Sequence, residues 1–486
     1  MVKKFINLIR TNSDIALILV VATFLRLKII LQADLWYDEA FTGLMMRIPF
    51  KQLAQIIHED PHPPLYFFIN KVWCVLFGVN DLSLRLLPFV FGFLTIIAVY
   101  IFAKDLFNKE TAIIASLLCA ISPFLVEYSV EARSYSLYAF LTIIAAYFVY
   151  KRQLNLFIIS AIALLFTHYM SLAYLPILLL YYCYVVIKYK LSKKLAIARL
   201  ALFGAASLFI YRFGILSSIK NQNVDWAEKA NITNMAKSAT SYLFGVKTKL
   251  PGHSVLNDMS LGLSKEHLIA IVFTLFIVAL VIALYKNRSN RHNFANLIYV
   301  NLFIFVPQLI LIIYGTLANK TLYVERYLVP SAVFLVISLA MILKSVLRFE
   351  IMALVLMIYV YMLTTIIPQS YYKGMRDLVN EFGHYSTDIV FTSPVDYTVG
   401  RYYFGSVTGN DYLDLSEENI FRIKLYDPQH VEDMYTTWWF ISEQARPTNW
   451  VNSIVISPDE KRMTPDFKKV SDKSYGNYEV YIKTTY

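Results

Sequence analysis

Long apolar segments separated by short polar ones run through the first 368 residues, a pattern typical of a chain that crosses a membrane many times. A helix needs about 20 mostly apolar residues to span the hydrocarbon core of a bilayer. Eleven segments come near this length, at 14–33, 84–103, 111–126, 135–150, 154–167, 171–187, 195–211, 267–285, 294–314, 328–343 and 350–368. We therefore predict a polytopic α-helical membrane protein with about 11 transmembrane helices.

The pattern changes after Pro368, where charge rises and the apolar runs shorten to strand length. One helix is predicted at Met375–Phe382. Strands are predicted at Asp388–Thr392, Thr437–Ile441, Ser453–Ile456 and Tyr478–Lys483. We therefore divide the chain into a transmembrane domain, 1–368, and a small α/β domain, 369–486.

Clusters of lysine and arginine between the apolar segments indicate orientation, because such clusters favour the cytoplasmic side. All of these clusters fall on the cytoplasmic side if the N-terminus is cytoplasmic and Pro64–Gly78 lies along the outer membrane surface instead of crossing it. The first outer loop is then about 33–83, and a long outer loop covers about 212–266. The α/β domain is predicted to be extracytoplasmic, at a prokaryotic plasma membrane.

Composition supports the membrane assignment, since 57% of the residues are hydrophobic and only 16% are charged. The formal net charge of +11 does not indicate a nucleic-acid partner, because the basic residues form short clusters instead of one extended face. We interpret these clusters as topology signals and contacts to anionic lipids. The cysteines, Cys74, Cys119 and Cys183, lack metal-site spacing and are interpreted as core residues.

Asp38 and Glu39 are adjacent acids just after the first apolar segment. Ionisable groups held at a membrane surface are often functional, because removing a carboxylate from water is costly. The pair marks the predicted centre of the chemistry. A solvated pair of loop acids is the alternative interpretation.

Five motifs follow one another along the chain: Leu35–Ala40, His62–Tyr66, Leu84–Pro88, Glu131–Tyr135 and Glu325–Pro330. In this order they resemble the motifs of the GT-C glycosyltransferases. More narrowly, they resemble the group of protein O-mannosyltransferases and lipid A aminoarabinose transferases, glycosyltransferase family 39. The resemblance implies transfer of a sugar from a polyprenyl-phosphate donor at the outer membrane face, usually with inversion at the anomeric carbon.

This chemistry needs a base that removes a proton from the attacking acceptor hydroxyl. The resemblance assigns that role to Asp38. Glu39 is expected to orient the acceptor, to share a metal ion or to raise the basicity of Asp38, since neighbouring carboxylates shift each other's pKa.

The leaving lipid phosphate needs fixed hydrogen-bond donors, and a planar guanidinium group can hold two phosphate oxygens. Arg133 and Arg326 are the predicted phosphate ligands. Each has a glutamate nearby, Glu131 or Glu325, so pairing within the protein is an alternative, as is extension of a helix-end arginine to the interface.

His62 lies between prolines, where the chain is extended and the ring is presented. It is predicted to contact the sugar donor or the acceptor, although a role in starting the next helix fits equally. His168 and Tyr169 are predicted to line the sugar-donor cavity, or else to anchor a helix end at the interface. The predicted substrate-binding set is completed by Glu131, Tyr135 and Tyr327.

A divalent cation such as Mg²⁺ or Mn²⁺ is left open as a cofactor. Asp38, Glu39, Glu127 and Glu131 supply suitable oxygen atoms, but an Asp-Glu pair instead of Asp-x-Asp argues mildly against an obligatory ion. The expected partners are the polyprenyl-phosphate sugar, the bilayer and a protein, lipid or polysaccharide acceptor, without nucleic acid.

Two other classes fit the same composition. A lipid or solute transporter also places charges among its spans, although such sites favour the bilayer midplane. A non-catalytic envelope scaffold would retain the motifs without activity. Here the charged motifs gather at one membrane face, which favours the enzyme.

Overall fold

The computed structural model describes residues 13–59, 62–212, 231–244, 265–319, 323–346, 357, 374–382, 389–391, 394–408, 423–425, 454–457, 467–469 and 479–483. The chain divides into two compact units. The first comprises Met1–Ile30, Asp60–Phe68 and Arg85–Ser370, and the second comprises Leu31–Glu59, Ile69–Leu84 and Tyr371–Tyr486. The second unit thus includes two segments from before residue 85, whereas the sequence-based division lies at a single point, residue 368.

Helices dominate the described residues. Those before residue 130 are α1 (Ser13–Gln32), α2 (Tyr37–Arg47), α3 (Phe50–Glu59), α4 (Leu65–Phe77), α5 (Asp81–Leu106), α6 (Lys109–Ile121) and α7 (Pro123–Tyr128). Those between 130 and 350 are α8 (Tyr135–Tyr150), α9 (Leu154–Leu165), α10 (Leu175–Lys188), α11 (Lys193–Ile210), α12 (Thr233–Phe244), α13 (Lys265–Asn287), α14 (Arg291–Leu317) and α15 (Val329–Val346). Short 3₁₀ helices lie at Tyr169–Ala173 and Glu325–Leu328.

Four described segments are long and apolar enough to cross a membrane: Asp81–Leu106, Ile269–Asn287, Arg291–Leu317 and Glu325–Ser345. The last is largely buried within the protein, whereas Ile269–Asn287 is mostly exposed. A helix that is apolar all round suits either setting in a membrane protein, because lipid and protein core are both apolar. The predicted segments 14–33 to 328–343 are mostly helical where the structure describes them. The count of 11 spans stays a prediction, and 350–368 lies outside the described residues apart from Met357.

The predicted span 111–126 is two helices instead of one. The Ser122 hydroxyl accepts a hydrogen bond from the Leu125 backbone N–H (3.4 Å) and so caps α7, with Pro123 as its first residue. Proline has no N–H to donate and is favoured in the first turn of a helix, where that N–H has no partner within the helix. The chain therefore stops one helix and starts another at this point.

The predicted outer loops contain regular structure. The loop predicted at 33–83 includes α2, α3 and α4, and the loop predicted at 212–266 includes α12. Within the first of these loops, α3 is a complete helix of 10 residues.

The second unit contains α16 (Met375–Phe382), α17 (Pro394–Thr408) and a five-stranded sheet. Its strands are β1 (Ile389–Phe391), β2 (Ile423–Leu425), β3 (Ile454–Ser457), β4 (Phe467–Lys469) and β5 (Glu479–Lys483), in the order β2-β1-β3-β5-β4. β1 pairs in parallel with β2 and β3, while β5 pairs antiparallel with β3 and β4. The sequence pattern predicted α16, β1, β3 and β5 but missed α17, β2 and β4; the predicted strand Thr437–Ile441 lies outside the described residues.

Candidate active site

Asp38 and Glu39 lie in the first turn of α2, in the second unit, and their side chains differ in setting. Glu39 is 1% exposed, and its Oε2 accepts a hydrogen bond from the Trp36 backbone N–H at 3.2 Å. This is the N3-to-N-cap half of a capping box, which satisfies an amide that the helix leaves free. The Asp38 side chain is half-buried instead. The structure therefore gives Glu39 a role in holding the turn that presents Asp38.

Arg376, at the start of α16, ties the chain just before this turn into the second unit. Its Nε lies 3.0 Å from Asp34 Oδ1, and its Nη2 lies 2.8 Å from Asp81 Oδ2. The Met375 backbone N–H donates to Asp34 Oδ2 (2.9 Å). Tyr403 bridges the same group, since its hydroxyl donates to Asp81 (2.6 Å) and accepts from the Leu35 N–H (2.7 Å). Burial raises the pKa of Asp34, and the Arg376 charge partly opposes that rise.

The remaining predicted residues belong to the first unit, and most of them form one cluster. Arg133 is only 6% exposed, and its Nη2 donates to His62 Nε2 at 3.0 Å. The Leu65 backbone N–H donates to the Phe166 carbonyl (2.9 Å), which joins the proline-rich segment to the end of α9. His62 and His168 consequently meet edge to face, with ring centroids 6.2 Å apart.

His168 is buried within the cluster. Its side chain is 4% exposed, and Tyr138 stacks on its ring at 4.7 Å. The rings of Tyr135 and Tyr327 lie 5.8 Å and 5.5 Å away. Burial, with electrostatic contributions from His62, Arg133 and Arg326, holds the pKa of His168 well below its usual value.

Arg326 lies in the 3₁₀ helix that precedes α15, with its guanidinium carbon 5.8 Å from the Tyr327 ring. Its charge acts on His168 and so falls within the same cluster. Glu131 is buried, and its carbonyl accepts from the Arg133 N–H at 2.6 Å. Tyr169 is half-buried beside His168.

The structure thus gathers the predicted substrate-binding residues of the first unit. Sequence reasoning missed Tyr138, although Tyr135 and Tyr138 are three residues apart on one helix and so share a face. It also missed Asp34, Asp81 and Arg376, for which no motif gave a signal. No group of three or more histidine, cysteine, aspartate or glutamate side chains among the described residues could hold a metal ion.

Residues 61–211 match the family model described as dolichyl-phosphate-mannose-protein mannosyltransferase. The resemblance to GT-C glycosyltransferases is confirmed over this segment. The matched segment includes His62, Arg133 and His168 but neither Asp38 nor Arg326. Together with the apolar helices, the match indicates an integral membrane protein. A search of curated proteins finds no match.

Three solved structures show weak similarity. ArnT from Cupriavidus metallidurans, bound to undecaprenyl phosphate, is 13% identical, with 97% of this chain and 98% of that chain covered and a TM-score of 0.48. The apo oligosaccharyltransferase of Archaeoglobus fulgidus is 14% identical, with 81% and 64% covered and a TM-score of 0.45. AglB from the same organism, with an inhibitory peptide and dolichol-phosphate, is 14% identical, with 82% and 64% covered and a TM-score of 0.42. This chain therefore spans about 64% of the length of the archaeal proteins.

Proposed function

We propose that the protein transfers a hexosyl or pentosyl group from a polyprenyl-phosphate sugar to an acceptor hydroxyl at the outer membrane face. One observation carries the proposal: the segment that matches the mannosyltransferase family holds His62, Arg133 and His168 in one buried cluster. A cluster of arginine side chains and aromatic rings suits a lipid phosphate that has left the bulk solvent.

Arg133 and Arg326 are the proposed ligands of the lipid phosphate. The guanidinium group stays charged at any physiological pH, and its fork matches two phosphate oxygens. As the bond between the anomeric carbon and the phosphate oxygen breaks, negative charge grows on the phosphate. Fixed cations stabilise that charge more in the transition state than in the bound sugar donor, which lowers the barrier.

Asp38 is the proposed base. It would take the proton of the acceptor hydroxyl while the hydroxyl oxygen bonds to the anomeric carbon, with inversion. The half-buried setting of the Asp38 side chain supports this choice over Glu39, whose carboxylate is buried against its own helix start. The extracytoplasmic position of the site and of the C-terminal unit belongs to the same proposal, as does a cytoplasmic N-terminus.

The test uses purified protein in lipid nanodiscs with a radiolabelled polyprenyl-phosphate mannose. We expect the sugar donor to be consumed, and Asp38→Asn to slow consumption about 10²- to 10⁴-fold, the usual contribution of a general base. Asp105→Asn is the matched control, because Asp105 is a partly exposed acid, paired with Lys151 (3.1 Å), that belongs to none of the predicted site motifs. Adding a chelator to the same assay tests whether Mg²⁺ or Mn²⁺ takes part.

The alternatives differ from the enzyme in this assay. A transporter and a scaffold protein would both leave the labelled sugar donor unconsumed. Full activity in a folded Asp38→Asn variant would exclude Asp38 as the base. If the wild-type protein consumes none of several polyprenyl-phosphate sugars, the enzyme proposal is wrong.

A further inference from the structure

The hydrogen bonds of His168 define which of its ring nitrogens carries the proton. Its Nδ1 accepts a hydrogen bond from the Met170 backbone N–H at 3.2 Å, which caps the 3₁₀ helix at Tyr169–Ala173. An imidazole nitrogen that accepts carries no proton, so the proton of the neutral ring is on Nε2. Nε2 is therefore an N–H donor on the ring edge away from this backbone.

This N–H is buried without a hydrogen-bond partner among the described residues. The side chain is only 4% exposed, so bulk water does not supply the missing acceptor. A buried donor left unsatisfied costs about 1–3 kcal/mol. Such groups are rare in native proteins and are often explained by a ligand or an ordered water.

The surroundings of the ring favour an anionic acceptor. Aromatic rings cover it: Tyr138 stacks on one face, and Tyr135 and Tyr327 lie nearby. The charged groups that act on it electrostatically are cationic, Arg133 and Arg326, with the ring of His62 beside them. An acceptor oxygen that enters this cluster is stabilised most if it carries negative charge. Neutral sugar hydroxyls gain less from the same cations.

We propose that His168 Nε2–H donates a hydrogen bond to a phosphate oxygen of the polyprenyl-phosphate group. It would be a third, uncharged contact beside Arg133 and Arg326. This inference rests on the proposed function. A hydrogen bond of this kind strengthens as the phosphate gains charge, because the phosphodiester of the sugar donor becomes a monoester when the sugar leaves. An uncharged donor also binds without taking up or releasing a proton.

Burial and the neighbouring cations support this role by keeping the pKa of His168 low, so that the ring stays neutral at physiological pH. A neutral ring with Nδ1 already accepting presents only an N–H at Nε2. This tautomer does not bind a metal ion through Nε2, since a metal needs the lone pair.

Two substitutions separate the two ring nitrogens. In His168→Asn the amide oxygen takes the place of Nδ1, so the bond from Met170 is kept and the Nε2 donor is lost. In His168→Gln the longer side chain places an amide N–H near Nε2, while the bond from Met170 is lost. A merely structural role predicts that Asn is the better replacement, and phosphate binding predicts that Gln is.

The experiment measures binding of undecaprenyl phosphate, of undecaprenyl-phosphate mannose and of undecaprenol to both variants and to the wild-type protein in nanodiscs. Melting temperatures are the folding controls. We expect His168→Asn to bind undecaprenyl phosphate roughly tenfold to a hundredfold more weakly, and His168→Gln to stay within about threefold of wild type. Binding of undecaprenol, which has no phosphate, should not change.

Three results would overturn the proposal. One is wild-type affinity for undecaprenyl phosphate in a folded His168→Asn variant. Another is an equal loss of undecaprenol binding, which would indicate a contact to the chain. The third is a loss confined to the sugar-linked lipid, which would place Nε2–H on the sugar. If wild-type protein binds no undecaprenyl phosphate at all, the proposed function itself fails.

Discussion

Two clusters of charged side chains, one in each compact unit, satisfy their hydrogen-bonding groups in opposite ways. In the second unit, every nitrogen of the Arg376 guanidinium has a carboxylate or carbonyl partner. In the first unit, the buried Nε2 of His168 has no hydrogen-bond partner among the described residues. A network in which each group is satisfied stabilises a fold. A desolvated donor without a partner costs free energy until a ligand supplies an acceptor, so the first cluster is the better candidate for binding.

The sharpest test of this comparison is Arg133→Ala in the first cluster. We expect kcat/KM for transfer from a polyprenyl-phosphate sugar to fall about 10²- to 10³-fold, because a buried cation no longer faces the leaving phosphate. The kcat/KM of Arg133→Lys should lie between those of the wild-type protein and Arg133→Ala, since lysine keeps the charge but not the planar fork. If both variants lose activity only to the extent that they fail to fold, Arg133 is assigned to the fold instead.

Arg376→Ala tests the second cluster and should act on stability. Removing the guanidinium leaves Asp34, which is 5% exposed, and Asp81 without their cationic partner. Breaking such a buried pair typically costs 3–5 kcal/mol, and we expect about 2–3 kcal/mol because the Arg376 side chain is 35% exposed. The measurement is the free energy of unfolding, or the melting temperature where unfolding is irreversible.

Arg376→Lys is the matched control for this change. Lysine keeps the positive charge and one contact, so Arg376→Lys should lose roughly half as much stability as Arg376→Ala. If Arg376→Ala unfolds like the wild-type protein but abolishes sugar transfer, the network is functional and the contrast between the clusters disappears.

Acidification should act on the two clusters with opposite sign. The low pKa of folded His168 means that below its usual value of 6.5 the unfolded chain binds more protons than the folded protein. Stability therefore falls as the pH is lowered, by at most about 1.4 kcal/mol per pH unit. Burial raises the pKa of Asp34, so the contribution of Asp34 to stability increases as the pH is lowered. Melting temperatures between about pH 7.5 and 5.5 should fall less in His168→Asn than in wild type, and parallel curves would contradict the neutral buried ring.

The smallest expected effect concerns the turn that carries Asp38. Glu39→Ala removes the acceptor for the Trp36 N–H and should cost about 1 kcal/mol of stability. Glu39→Gln keeps an acceptor oxygen and should cost less. Activity is the second measurement. A loss in Glu39→Gln as large as that in Asp38→Asn would show that the Glu39 charge takes part in the chemistry.

Much of the helical structure was predictable, because runs of apolar residues indicate burial in lipid or in the protein core. This signal is present in the sequence and does not depend on which residues come into contact. The segment 135–150 agrees residue for residue with α8, and α16 agrees with Met375–Phe382. Errors fell where local chemistry interrupts an apolar run, as at Ser122 and Pro123. They also fell on β2 and β4, in which lysines interrupt the apolar pattern, whereas β1 is equally short but wholly apolar.

The ordered motifs predicted the candidate site residues, and the family match confirms the resemblance over 61–211. The motifs did not predict the different settings of these residues in the structure. Asp38 and Glu39 look equivalent in the sequence, yet one is half-buried and the other caps its helix. Arg376 had no motif, although it anchors the chain beside the acid pair.

The sequence by itself determined the apolar segments, the ordered motifs and the residue types available for catalysis, because these depend on composition and spacing along the chain. Only the tertiary structure decided which side chains share a cluster and which nitrogen of His168 is left without a partner. The His62–Arg133 hydrogen bond joins residues 71 positions apart. No local period records such a contact, because it depends on how distant helices pack.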